Sequence, residues 1–380
     1  MKNIVSILSL LLVVALLPFD SIAEPASNDS AVRVGWIGGM TGPTAKWGTH
    51  NAAMLAVEEV NASGGINGRP LELVYEDAQC NGAKAVSAFR KLTGADGLRF
   101  IVGGHCSPES LAFADLAERK KVVSIAAITS SPKLTEKGDY IYRVTPISTR
   151  LADLLVPYAR KQRDLKKVAV IYELTDYAQP VAEHFSHLFK SDGGQVVSEQ
   201  SFLPGETDFK TILLKASRSS ADGIYLGVQA PDTALLLMRQ IGELNLNLSI
   251  FGNEQFAGAY LSASDDDRKH LEGVILAEPA CDLSKPETKR FAEKYKSRYG
   301  VRDLPFGCYT GESYDAVLIM AQALRECGED VECVKKYLNS IRNHHGASGA
   351  ISFDANGDVE KQYVIKAIRK HGIIVLDSAT

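Results

Sequence analysis

Few positions in this chain hold side chains whose type and spacing suit catalysis. His105-Cys106-Ser107 sets a base beside two nucleophile types, but no GxSxG elbow and no spaced third partner accompany it. A disulfide and a hydrogen-bonding Ser account for the triplet more simply. The glycine-rich run from Gly38 to Gly48 contains Lys46, yet Ala45 rather than Gly precedes that Lys, so the phosphate-loop pattern fails, as does GxGxxG. His184 and His187 stand three apart without the HExxH frame of a zinc site. The expectation is a non-enzyme with no metal and no cofactor. What remains suits recognition. Ser107, Thr129, Ser130 and Ser131 are hydroxyls of the kind that receive a carboxylate beside helix starts. Glu254 is an acid that can hold an ammonium through charge-assisted hydrogen bonds. A zwitterion would satisfy both ends, with Trp47 as an aromatic able to close over it. The competing reading makes the hydroxyls helix caps, Glu254 a solvated acid and Trp47 a packing residue.

These residues gain meaning from the elements that carry them. Strands are expected at Val32–Ile37, Leu71–Tyr75, Phe100–Val102 and Val122–Ala127, alternating with helices near Thr49–Asn61, Ala83–Leu92 and Glu109–Arg119. The rhythm then repeats. Strands at Val168–Tyr172, Val196–Glu199, Gly223–Leu226 and Ile250–Phe251 alternate with helices around Pro180–Phe189, Phe209–Ala216 and Thr233–Leu244. Short Val- and Ile-rich strands separated by helices imply parallel sheets covered on both faces. Two series of about five strands imply an α/β protein of two Rossmann-like lobes. Ligands of such sheets collect where strands end. The hydroxyls, Trp47 and Glu254 all fall in loops just after strands, so the cleft between the lobes is the expected site.

Composition agrees. The 380 residues are 45% apolar and 23% charged, with a formal net charge of −4. That length calls for two domains, and the mild acidity argues against nucleic acid as a partner. At the start, Lys2 precedes an apolar run from Ile4 to Pro18, and Ser21-Ile22-Ala23 offers a small-residue cut before Glu24. Residues 1–23 are therefore expected to be a signal peptide, too short to span a bilayer. Six cysteines, Cys80, Cys106, Cys281, Cys308, Cys327 and Cys333, fit an oxidising compartment. Cys327 and Cys333 bracket a short turn, and Cys80 and Cys106 each follow a predicted strand. Fifteen connectivities are open, and buried free thiols are the alternative.

Longer runs carry a resemblance. Ile37-Gly38-Gly39-Met40-Thr41-Gly42-Pro43, Trp47-Gly48 and Asn61-Ala62-Ser63-Gly64-Gly65-Ile66-Asn67-Gly68-Arg69-Pro70-Leu71 come first. Val102-Gly103-Gly104-His105-Cys106-Ser107, Thr129-Ser130-Ser131-Pro132, Gly252-Asn253-Glu254 and Phe353-Asp354-Ala355-Asn356-Gly357-Asp358 follow. Together they resemble the branched-chain amino-acid-binding proteins, type I periplasmic binding proteins of ATP-driven importers. The resemblance implies lobes joined by three hinge strands, near Val144–Pro146, Ala277–Pro279 and Ser352–Asp354. The N-terminal lobe would hold 31–145 plus 279–352, the C-terminal lobe 146–278 plus 353–380. It implies a carboxylate held by Ser107 and Ser130, and an ammonium held by Glu254 with the carbonyl near Ile128. Trp47 and Tyr177 would be the covering aromatics, and Cys80–Cys106 a first-lobe disulfide. Gln229 stands where leucine binders usually carry an aromatic, Trp47 replaces the commoner Tyr, and Ile128 is bulkier than usual, so the side-chain specificity is the open part. The implied function is delivery of an amino acid, branched-chain or otherwise neutral and aliphatic, to a membrane permease by a monomeric periplasmic protein. The alternatives are an aromatic acid, amide or urea-like solute on the same scaffold, or a serine hydrolase using Ser107.

Overall fold

The computed structural model describes residues 30–376; the expected signal peptide lies outside them. In the first lobe, strands β1 (Val32–Gly38), β2 (Leu71–Asp77), β3 (Phe100–Gly103), β4 (Val123–Ala126) and β5 (Ile141–Arg143) form a parallel sheet in the order β2-β1-β3-β4-β5. Helices α1 (Thr49–Ala62), α2 (Gly82–Gly94) and α3 (Ser107–Lys120) connect them. The second series follows with α4 (Arg150–Pro157), β6 (Lys167–Glu173), α5 (Ala178–Ser191), β7 (Gln195–Phe202) and α6 (Lys210–Ser217). It continues through β8 (Gly223–Gly227), α7 (Pro231–Glu243), β9 (Ser249–Gly252), α8 (Gln255–Ser262), α9 (Asp265–Arg268) and β10 (Ile275–Pro279). The chain then returns to the first lobe for α10 (Pro286–Tyr299), α11 (Cys308–Cys327), α12 (Val331–Ser340) and a hairpin of β11 (His344–Gly346) and β12 (Gly349–Ile351). It ends in the second sheet with β13 (Tyr363–Arg369) and β14 (Gly372–Val375).

The second sheet has seven strands in the order β14-β13-β10-β9-β8-β6-β7, rather than about five. Its extra strands are β13 and β14, added antiparallel beside β10 and reached by a late crossing that βα rhythm does not reveal. His344 and His345 open the small hairpin, paired with Ile351 and Ala350.

Each sheet buries both faces, which is why its central strands are continuous apolar runs. One core lies between the first sheet and α1, α11 and α12, and another between that sheet and α2 and α3. In the second lobe, α6, α7 and α8 cover one face and α4 and α5 the other. Gly103 is required where it stands: with φ at +144°, a Cβ there would come within 2.2 Å of the Ile37 carbonyl oxygen.

Three segments link the lobes. Residues 144–149 connect β5 to α4, as expected near Val144–Pro146. Ala277–Pro279, expected as the second crossing, is still paired with β13, so the crossing follows at 280–285. Phe353 and Val359 lie in the first lobe's core, and Arg143 N–H donates to the Gly357 carbonyl, so the third crossing follows at 360–362 rather than near Ser352–Asp354. Cys80 is bonded to Cys106, Cys281 to Cys308 and Cys327 to Cys333. The first pairs the loops after β2 and β3, the second ties the second crossing to the start of α11, and the third joins the facing ends of α11 and α12.

Candidate functional site

The strand-end loops of the first lobe are stitched to one another. Asp77, ending β2, accepts from Met40 N–H at 3.0 Å and from the Thr41 hydroxyl at 2.5 Å, which fastens the glycine-rich loop. Glu109 does the same for the loop after β3, accepting from the N–H groups of Cys80 (2.8 Å), His105 (2.8 Å) and Cys106 (3.3 Å). Burial pushes its carboxyl up to about 7 despite those donors. Ser110 and Thr129 hydroxyls meet at 2.7 Å, and Thr129 also donates to the carbonyls of Gly104 and Cys106. The fully buried Arg143 pairs with Asp358 at 2.6 Å and donates to the Ser131 carbonyl at 2.7 Å, which holds the loop after β4.

Ser107 opens α3, and its Oγ accepts from Ser131 N–H at 3.2 Å, which leaves its own hydrogen to give. Ser130 presents its carbonyl to Ser148, through both N–H (2.9 Å) and hydroxyl (3.0 Å). Ile128 packs in the first lobe's core. Trp47 is buried too: its ring stacks on Phe306 with centroids 5.0 Å apart, its carbonyl accepts from the Thr310 hydroxyl, and its indole N–H has no partner. Thr44 Oγ1 and Ser131 Oγ are likewise buried without partners. His105 does not serve Ser107. Its ring nitrogens contact the Ile37 carbonyl and the Ser313 hydroxyl, each at 2.8 Å, and burial lowers its pKa to about 4.

In the second lobe, Glu254 lies just before α8 and is 4% exposed. The Tyr177 hydroxyl, from the start of α5, donates to Glu254 Oε1, while Oε2 has no partner. Burial pushes the Glu254 carboxyl up to about 7, opposed by the Tyr177 hydrogen bond. Its negative charge in turn adds to the burial that raises the hydroxyl pKa values of Tyr177, Tyr225, Tyr309 and Tyr363. Tyr309 belongs to α11 of the first lobe, so the surroundings of Glu254 draw on both lobes. Gln229 follows β8; its N–H donates to Glu173 Oε2 at 2.8 Å and its side-chain oxygen is buried without a partner. Asn253 ties the loops after β8 and β9 by donating to the Val228 carbonyl at 2.7 Å, and its Oδ1, like Gln255 Oε1, is unpartnered.

The structure therefore pairs Glu254 with Tyr177 and Ser107 with the Ser130–Ser131 loop. No direct hydrogen bond, among the described residues, joins the two groups. Between the lobes a cavity of about 640 Å³ is lined by Gly42, Pro43, Cys80 and Pro108 on one side and Glu173, Asp176, Gln229 and Asp232 on the other. Ion pairs bridge the lobes beside it: Lys46 with Asp232 and Lys133 with Asp176, each at 2.9 Å. A space of about 680 Å³ lies elsewhere, at the crossing segments around Lys285, His345 and Lys361, where the first-lobe strand-end loops do not reach. Glu173 and Gln255 carry no sequence signal beyond their place near strand ends, and Asn253 only its place in the Gly252-Asn253-Glu254 run. Tyr309 starts a helix that no strand feeds, so strand-end position does not point to it, although Tyr309-Thr310 belongs to the runs that carry the family resemblance. Among the described residues no helix is long and apolar enough to cross a membrane, and no group of three or more acidic, His or Cys side chains is placed to hold a metal.

The Leu/Ile/Val/Thr/Ala-binding protein of Pseudomonas aeruginosa is 26% identical over 333 residues, covering 87% of each chain. The Leu/Ile/Val-binding protein of Escherichia coli K12 is 25% identical over 334 residues, covering 87% of this chain and 88% of its own. The crystal structure of a leucine-binding protein from Thermotoga maritima superposes with a TM-score of 0.81 at 25% identity, covering 91% of this chain and 98% of that one. The family model described as periplasmic binding protein matches residues 31–371, and the chain belongs to that family.

Proposed function

We propose that this chain is an extracytoplasmic solute-binding protein that takes one amino acid, branched-chain or otherwise neutral, between its lobes and delivers it to the membrane permease of an ATP-driven importer. The observation that carries this reading is the Glu254 carboxylate, buried against Tyr177 with one oxygen unpartnered. A buried acceptor of this kind calls for a cationic donor. The first lobe supplies the complement: Ser107 with a hydrogen to give, Ser130 beside it, and the N-terminus of α3, whose N–H groups favour an anion. An amino acid has its carboxylate and ammonium on one carbon and so engages both. The carbonyl near Ile128 is assigned to the ammonium, and Trp47 and Tyr177 are assigned as covers for the ligand. The names of the relatives point the same way.

Lobes of residues 31–143 plus 286–359 and 150–279 plus 363–376, with the crossing segments between them as hinges, would let the ligand shift an open–closed equilibrium, because contacts to both lobes form together only in the closed state. The chain is proposed to act as a monomer in the periplasm after loss of residues 1–23. An aromatic acid with no cationic group would leave Glu254 buried and unpaired, which disfavours that alternative. A hydrolase using Ser107 lacks its nearest base, since His105 is engaged by Ile37 and Ser313. Calorimetric titration of the purified protein with leucine, isoleucine, valine, threonine and alanine tests the reading. Saturable binding with one site per chain is expected, and absence of binding to every amino acid of a full panel would overturn it.

A further inference from the structure

We propose that the cavity beside Gln229 and Glu173 receives the far end of the ligand's side chain, and that this end carries a hydrogen-bond donor. Among neutral amino acids, the site then favours hydroxyl and amide side chains over all-carbon isosteres. This rests on the amino-acid reading above and narrows it.

The argument is a count of acceptors. On the second lobe, Glu254 Oε2 is one buried oxygen without a partner, and the ligand's ammonium accounts for it. Gln229 Oε1 and Asn253 Oδ1 are two more, on the adjoining loops after β8 and β9 that the Asn253–Val228 hydrogen bond holds side by side. Glu173 adds a carboxylate that is 5% exposed, receives a single hydrogen bond, from Gln229 N–H, and has no cation within ion-pair distance among the described residues. The other two acids of this wall are already occupied, Asp176 by Lys133 and Asp232 by Lys46. Gln229 and Glu173 both line the interlobe cavity, and the unpartnered Gln229 and Asn253 oxygens lie buried in the loops behind that wall. Burial raises the Glu173 pKa, as expected where no positive charge offsets the lost hydration. An all-carbon side chain would cover the Glu173 carboxylate and leave the buried Gln229 and Asn253 oxygens without a donor. Sites built to hydrogen-bond a substrate group reject analogues that lack it, because their own polar groups are left unpaired.

The test is calorimetry on the full-length mature protein with two isosteric pairs, threonine against valine and asparagine against leucine. We expect the polar member of at least one pair to bind about tenfold tighter or more, and this gap to shrink below about threefold in Gln229→Leu. Gln229→Met and Glu173→Gln serve as second variants, with thermal melting to confirm folding. Equal binding within both pairs, tighter binding of valine and leucine, or a gap that survives in every folded variant would overturn the inference while leaving the amino-acid reading intact. Failure to bind any amino acid would overturn both.

Discussion

The two faces of the cleft are built to different states of completion. On the first lobe, Glu109, Asp77, Arg143 and the Cys80–Cys106 bond secure the strand-end loops, and most of their hydrogen-bonding capacity is used internally. In the loops after β1 and β4 the groups left over, Thr44 Oγ1, Trp47 Nε1 and Ser131 Oγ, are all able to donate. In the second-lobe loops after β8 and β9 and at the start of α8 the groups left over are oxygens of Glu254, Gln229, Asn253 and Gln255. One wall is thus a rigid platform of donors and the other a set of buried acceptors awaiting donors. Buried polar groups are normally satisfied, so the imbalance locates where a partner is missing and what charge it brings to each side.

The comparison can be broken first at its most costly acceptor. Replacing Glu254 by Gln removes the carboxylate assigned to the ammonium, and amino-acid affinity is expected to fall at least about 100-fold, on the order of 3 kcal/mol. The wild-type pH profile belongs to the same prediction. Glu254 without ligand takes up a proton near pH 7, whereas an ammonium partner holds it ionised. Binding below pH 7 must therefore expel that proton. Affinity should be level above about pH 7 and weaken by up to about tenfold per unit below it, while the Gln variant stays level over that range. A wild-type profile as flat as the variant's would remove Glu254 from the ligand.

A smaller loss is expected on the donor wall. Ser107→Ala deletes one hydroxyl among several donors, and affinity should drop about 10-fold, roughly 1–2 kcal/mol, read by the same titration. A loss as large as that of Glu254→Gln would mean that the two walls are not divided as described. The smallest effect belongs to the bridging ion pairs. Lys46 and Asp232 are both more than half exposed, so Lys46→Ala should weaken binding by no more than about 1 kcal/mol. The difference from wild type should vanish in high salt. A salt-independent loss would assign Lys46 to the ligand rather than to the rim.

Much of this was legible in the chain as written. Alternating Val-rich strands and helices specify two doubly covered sheets, because an apolar strand flanked by amphipathic helices has little else to do with its two faces. Placement of Ser107, Ser130, Gln229 and Glu254 just after strands followed from the same rhythm. The last strands of the second sheet were not legible, since β13 pairs antiparallel after a segment whose Phe353 and Val359 belong to the first lobe's core.

Local periodicity and strand-end position are properties of neighbouring residues, so sequence alone determined the fold class, the loops that meet at the cleft and the chemical types they carry. Which of those groups are already satisfied depends on residues far apart in the chain. Glu109 reaching Cys80, Arg143 reaching Ser131 and Asp358, and Tyr177 reaching Glu254 are such pairings. Only the tertiary structure decided them, because a hydrogen bond depends on distance and desolvation in space, and those are set when the elements of each lobe pack.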